Sequence, residues 1–241
     1  MPDIPLTLLL HFGLILAGVA GLRLFGRRTE PGALLLGLGI ITVYWIVSPS
    51  GHWLQKQLPM TAGLRWNWLG KLLVIAAAAI YWRASRLTRA GIGLTWRQRP
   101  GSILPAAIGI ALICAFAWTD EALLADGASL STERLLFQGL MPGLDEEFVF
   151  RGLLLAFFAA AFGPGRRIAG GAFGVAGLAV TFLFAAGHGL FVIDDAVVAN
   201  ARVLFVTGTI GAGLVWLRTR TGSLIAPVLA HNLVNFGSSF F

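Results

Sequence analysis

Long apolar blocks separated by short polar stretches dominate this chain. A helix needs about 20 mostly apolar residues to cross roughly 30 Å of hydrocarbon. Blocks over 5–22, 32–49, 68–82, 102–119, 145–163, 168–190, 202–217 and 223–238 predict eight membrane-spanning helices. The third is short, the sixth is Gly-rich, and the last carries His231 and Asn235. No gap between the blocks is long enough for a soluble domain. Met-Pro-Asp-Ile-Pro at the start lacks a basic side chain, so the first block is expected to be a span rather than a cleaved leader. The expected architecture is an all-α polytopic membrane bundle. Residues 1–120 would supply about four spans with basic cytoplasmic loops, and 121–241 a core of about four more.

Composition agrees. The 241 residues are 57% hydrophobic and 12% charged, with a mean hydropathy of +0.81, whereas soluble domains run about 25% charged. The net charge of +7 does not point to nucleic acid, because the basic residues sit in short clusters between apolar blocks. Arg23, Arg27 and Arg28 follow block one, and Arg83, Arg86, Arg89, Arg97 and Arg99 follow block three. Arg166 and Arg167 follow block five, and Arg218 and Arg220 follow block seven. The opposite loops hold only Lys56, Arg65, Lys71, Arg134 and Arg202, counting Lys71 with the loop it borders. The positive-inside rule then predicts both termini outside the cytoplasm of a bacterial or archaeal cell. Cys114 is the single cysteine, so no internal disulfide is expected.

Charge inside an apolar block is costly, at least about 2.5–3.5 kcal/mol at a span centre. Glu146, Glu147 and Arg151 nevertheless open the fifth block. Residues four apart share a helix face, so Glu147 and Arg151 are expected to pair. Glu146 points about 100° away and would be left free. His188 lies near the outer end of the sixth block, and His231 and Asn235 in the middle-to-outer part of the eighth. Each has a plain alternative: a charge network at the membrane edge, a hydrogen-bonded packing histidine, an interhelical Asn. Their common depth favours chemistry. A carboxylate with an imidazole can hold and deprotonate water, and a second imidazole with an amide can donate to an oxyanion. One Glu and two His also make a zinc set, which would be Glu146, His188 and His231.

Glu146-Glu147-Phe-Val-Phe-Arg151, Phe184-Ala-Ala-Gly-His188 and His231-Asn-Leu-Val-Asn235 together resemble the CPBP intramembrane protease family, which includes the type II CAAX prenyl endopeptidases. The flank Arg220-Thr-Gly-Ser-Leu-Ile-Ala-Pro227 resembles it too, and the likeness covers about 143–238. It implies an intramembrane endopeptidase in which Glu146 and His188 activate water, His231 and Asn235 stabilise the oxyanion, and Glu147 and Arg151 support the site. It favours a glutamate-type mechanism with no cofactor, with Zn²⁺ as the metalloprotease alternative. The expected partners are the lipid bilayer and a membrane-anchored protein or peptide. CAAX processing is cytosolic, whereas the charge map puts this site toward the outer face, so the expected substrate is a C-terminal tail or sorting signal of an exported protein. A polar cavity opening outward is expected. The rival functions are a proton-coupled transporter, since intramembrane Glu, His and Arg also build proton relays, and a catalytically silent scaffold.

Several other residues carry plainer expectations. His11 reads as a packing or hydrogen-bonding residue, and His52 as solvated in an external loop. Trp45, Trp66, Trp68, Trp82 and Trp118 read as interfacial anchors. Gly170, Gly171, Gly174 and Gly177 would let a neighbouring helix approach the sixth block. Leu136, Phe137 and Leu140 have helical spacing, but a surface connector over 126–142 is favoured over a helix covering the site.

Overall fold

Several of the helices start where a short polar side chain satisfies the first free backbone N–H groups. Asp3 accepts from Leu6 N, Asn67 from Gly70 N, Ser131 from Arg134 N and Asn200 from Val203 N. The computed structural model describes residues 2–124, 130–163 and 165–241. Its helices are α1 (Ile4–Leu24), α2 (Pro31–Gln57), α3 (Trp68–Ala84), α4 (Ile103–Ala122), α5 (Thr132–Glu147), α6 (Leu155–Phe162), α7 (Val175–Gly189), α8 (Ala201–Thr221) and α9 (Ile225–Gly237). A π-helical stretch, Phe148–Leu154, joins α5 to α6.

The all-α class holds, with two small antiparallel hairpins added. β1 (Arg166–Ile168) pairs with β2 (Gly171–Phe173), and β3 (Leu190–Ile193) with β4 (Ala196–Ala199). Each turns through two residues at positive φ, Ala169-Gly170 and Asp194-Asp195, the conformation of tight hairpin turns. The first hairpin takes the start of the sixth predicted block. Gly170 is therefore a turn residue, Gly171 a strand residue and Gly174 the residue before α7; of the four glycines only Gly177 lies within α7, facing Val215 of α8.

The expectation of eight spans is not met. Among the described residues four helices are long and apolar enough to cross a membrane by length and composition: α1, α2, α4 and α8. The others are short, or in the case of α5–α6 divided by Pro142 and the π-helical stretch. Apolar side chains still face outward along them, among them Ile80, Leu140, Leu178 and Leu229. The chain is a helical membrane protein.

The connectors gather at two ends of the bundle. At one end Asp3 N donates to Val192 O, Arg202 pairs with Asp120, and Glu133 accepts from Arg65 N and Trp66 N. At the other, Glu30 N donates to Ala161 O, Arg99 N to Thr221 O and Arg220 to Gly101 O. The arginine-rich segments all lie at the second end, so the alternation read from the sequence is also an alternation in space. Desolvation works against the charge of Glu133, but N–H donors from Trp66, Arg65 and Trp68 outweigh it and hold this carboxyl below its usual range.

Several side chains differ from expectation. The segment 132–142 is helix, the first turns of α5, and Phe137 packs between Trp66 and Trp68; residues 126–129 lie outside the described residues. His52 belongs to α2 rather than a loop. The tryptophans hold the fold internally: Trp68 Nε1 donates to Glu133, Trp82 Nε1 to Leu87 O and Trp118 Nε1 to Val234 O. His11, fully buried, bonds Leu190 O through Nε2 at 2.8 Å. With Thr7, whose hydroxyl accepts from Val192 N, it ties α1 to the strand that follows His188.

Candidate active site

Pro142 lacks a backbone N–H and interrupts the α5 ladder. One residue on, Gly143 N donates to Asn232 Oδ1 of α9 at 2.7 Å, and Asn232 Nδ2 donates to Leu140 O at 3.2 Å. A Cβ on Gly143 would overlap Asn232 and the Val228 carbonyl, so glycine is required for this approach. α5 and α9 are thereby clamped one turn before the acidic run Asp145-Glu146-Glu147, and His231 is brought against it.

Glu147 and Arg151 pair as expected, Nη1 to Oε1 at 2.7 Å, both with 0% side-chain exposure. Arg151 also donates to Gly211 O at 3.3 Å and lies 4.1 Å from the centre of the Phe184 ring. The same Glu147 oxygen accepts from His231 Nδ1 at 2.7 Å. An ionised carboxylate can only accept, so His231 carries a proton on Nδ1. Its Nε2 then faces Glu146 Oε2 at 4.0 Å. Arg151, Glu147, His231 and Glu146 form one buried chain across two helices.

Glu146 is not free. Lys71 of α3 donates from Nζ to its Oε1 at 2.6 Å and lies 3.1 Å from Asp145 Oδ1. Lys71 is thus a buried residue inside the bundle rather than a loop charge. Neither Lys71 nor Asp145 was singled out from the sequence. A charge one turn inside an apolar block was the available signal, the same one that marks Glu146.

His188 and Asn235 come to the same place without touching Glu146. A cavity of about 480 Å³ is lined by Lys71, Glu146, Phe184, His188, His231 and Asn235, and extends to Asp120, Glu121 and Arg134 at the arginine-poor end. A second cavity of about 550 Å³, walled by Tyr44, Trp45, Trp66 and Phe150, reaches Glu146, Phe184 and His188 from the side of α1 and α2. The His188 ring bonds Phe184 O through Nδ1 at 2.7 Å, which turns its Nε2 edge outward from its own helix. Among the described residues the imidazole within ion-pair range of Glu146 is His231, not His188. The six residues chosen from sequence therefore share a site, with the closest contacts arranged differently.

Residues 129–237 match the family model described as type II CAAX prenyl endopeptidase Rce1-like. This part of the chain is an Rce1-like domain. No curated protein and no solved structure gives a match. The Rce1-like domain spans α5 to α9 and holds Glu146, Glu147, Arg151, His188, His231 and Asn235, while Lys71 reaches it from outside the matched residues. The matched residues support a protease, and the apolar helices an integral membrane protein.

The donors do not fit a zinc ion as arranged. Among the described residues no three His, Cys, Asp or Glu side chains converge as a ligand set. The Lys71 ammonium occupies one Glu146 oxygen.

Proposed function

We propose that the protein is an intramembrane endopeptidase that hydrolyses a peptide bond in a membrane-associated protein. The observation that carries this is the convergence of Glu146, His188, His231 and Asn235 on one cavity of an Rce1-like domain. Glu146 Oε2 takes a proton from a water held with His188 as the water oxygen bonds to the scissile carbonyl carbon. Asn235 and a protonated His231 donate to the oxyanion. With Nδ1–H committed to Glu147, donation from Nε2 requires the imidazolium, and Glu147 and Glu146 both lie within ion-pair range of the ring. Glu146 then returns the proton to the leaving amine as the C–N bond breaks.

The substrate is a membrane-embedded or juxtamembrane tail of an exported protein, a C-terminal sorting signal being the favoured form. The cavity extends to the end that lacks the arginine clusters, and the positive-inside rule assigns that end to the outside. Co-expression of candidate membrane substrates with wild type, Glu146→Ala and His188→Ala tests the proposal. General acid–base groups contribute about 10²–10⁴-fold, so both variants should leave the substrate uncut while accumulating normally. Full cleavage by Glu146→Ala would end this mechanism.

A further inference from the structure

Among the described residues Lys71 is the one charged residue from outside the Rce1-like domain that is both buried and in contact with its acidic run. It sits in the first turn of α3, where the backbones of Gly70 and Gly51 of α2 touch so closely that a Cβ on either would overlap the other helix. An ammonium removed from water costs several kcal/mol unless it is paired and hydrogen-bonded. Here it meets two carboxylates from consecutive residues, Glu146 at 2.6 Å and Asp145 at 3.1 Å. Asp145 has 0% side-chain exposure, and no hydrogen-bond donor reaches either of its oxygens with good geometry. Its counter-charge is Lys71.

We propose that Lys71 is a positioning residue of this site: it holds Glu146 by Oε1 so that Oε2 faces His231 and the cavity, with Asp145 as the second anchor of the ammonium. This rests on the endopeptidase assignment for its kinetic consequence, though not for the contact itself. A carboxylate on a flexible side chain has two equivalent oxygens, and a fixed donor on one leaves a single oxygen aimed at water. While Glu146 carries the proton taken from water, its attraction for the ammonium falls, and Asp145 keeps Lys71 compensated. When the proton passes to the leaving amine, the Lys71–Glu146 contact reforms and the cycle closes with one water consumed per bond cut. Asp145 and Lys71 thus turn over unchanged, and neither exchanges a covalent bond.

The test uses the full chain reconstituted in liposomes, in two arms. The first is a double-mutant cycle of melting temperature on Lys71→Met, Glu146→Gln and the double variant. Contacting charges couple, so the double variant should melt above the temperature that summing the single losses gives; additive losses overturn the proposal. The second uses a single-span peptide with a fluorophore and quencher flanking its juxtamembrane C-terminal segment. Lys71→Met should lower kcat about 100-fold, the scale of a misplacement near 1 Å, with KM unchanged, and Lys71→Arg should restore most of it. Should Lys71→Met fail to fold, Asp145→Asn, which keeps the Lys71–Glu146 contact, should lower kcat at constant KM. Unchanged kcat in the folded variants overturns the positioning role. No hydrolysis by wild type would instead defeat the endopeptidase assignment, while the melting cycle still decides the pair.

Discussion

Arg151 is fully buried, and among the described residues its guanidinium has Glu147 as its only carboxylate partner. Truncating one member of such a pair strands the other charge, which costs about 3–5 kcal/mol. Arg151→Leu should therefore lower the unfolding free energy by that amount, measured by denaturation in detergent, and should loosen His231, which shares the Glu147 oxygen. A variant that melts with wild type would show that Glu147 is satisfied without Arg151. The pair was legible from the chain because four residues make about one helical turn. The engagement of Glu146 was not. Its partner Lys71 is 75 positions away, and a residue at the edge of an apolar block counts equally well as loop charge or buried cation until α3 is placed.

Among the elements, the α5–α9 contact decides where the chemistry sits. Pro142 breaks a ladder that Asn232 mends from another helix. Leaving a buried N–H without a partner costs about 1–3 kcal/mol. Asn232→Ala should destabilise the fold by that order and reduce cleavage through the neighbouring His231, whereas Asn232→Asp keeps an acceptor for Gly143 N and should be milder. Equal melting of Asn232→Ala and wild type would remove the clamp from the account. The expectation for Asn in a span, interhelical bonding, fits Asn232 rather than Asn235, which lines the cavity. The hairpins are not legible in the pattern because Ala169-Gly170 and Asp194-Asp195 are short turns between apolar residues, and apolar runs of a few residues do not distinguish strand from helix. The π-helical stretch after Glu147 leaves no mark on the apolar pattern at all.

Across the whole molecule, the arginine clusters share one end and the cavity at Glu146 extends to the other. Reporter fusions at Met60 and Arg89 should give an extracytoplasmic signal at the first and a cytoplasmic one at the second; a cytoplasmic signal at Met60 would invert the topology and return the site to cytosolic substrates. The all-α class, the positions of nearly every helix, the charge alternation and the Glu147–Arg151 pair could all be derived from the chain, because each depends on neighbours within a turn or on the composition of one block. The Lys71–Glu146–Asp145 cluster, the His231–Glu147 bond, the reduced set of full-length spans and the meeting of two cavities at Glu146 and His188 could not. These depend on which helix faces are opposed, and partners such as Glu147 and His231 lie 84 residues apart. Helical periodicity says what shares a face, but packing alone says what that face meets.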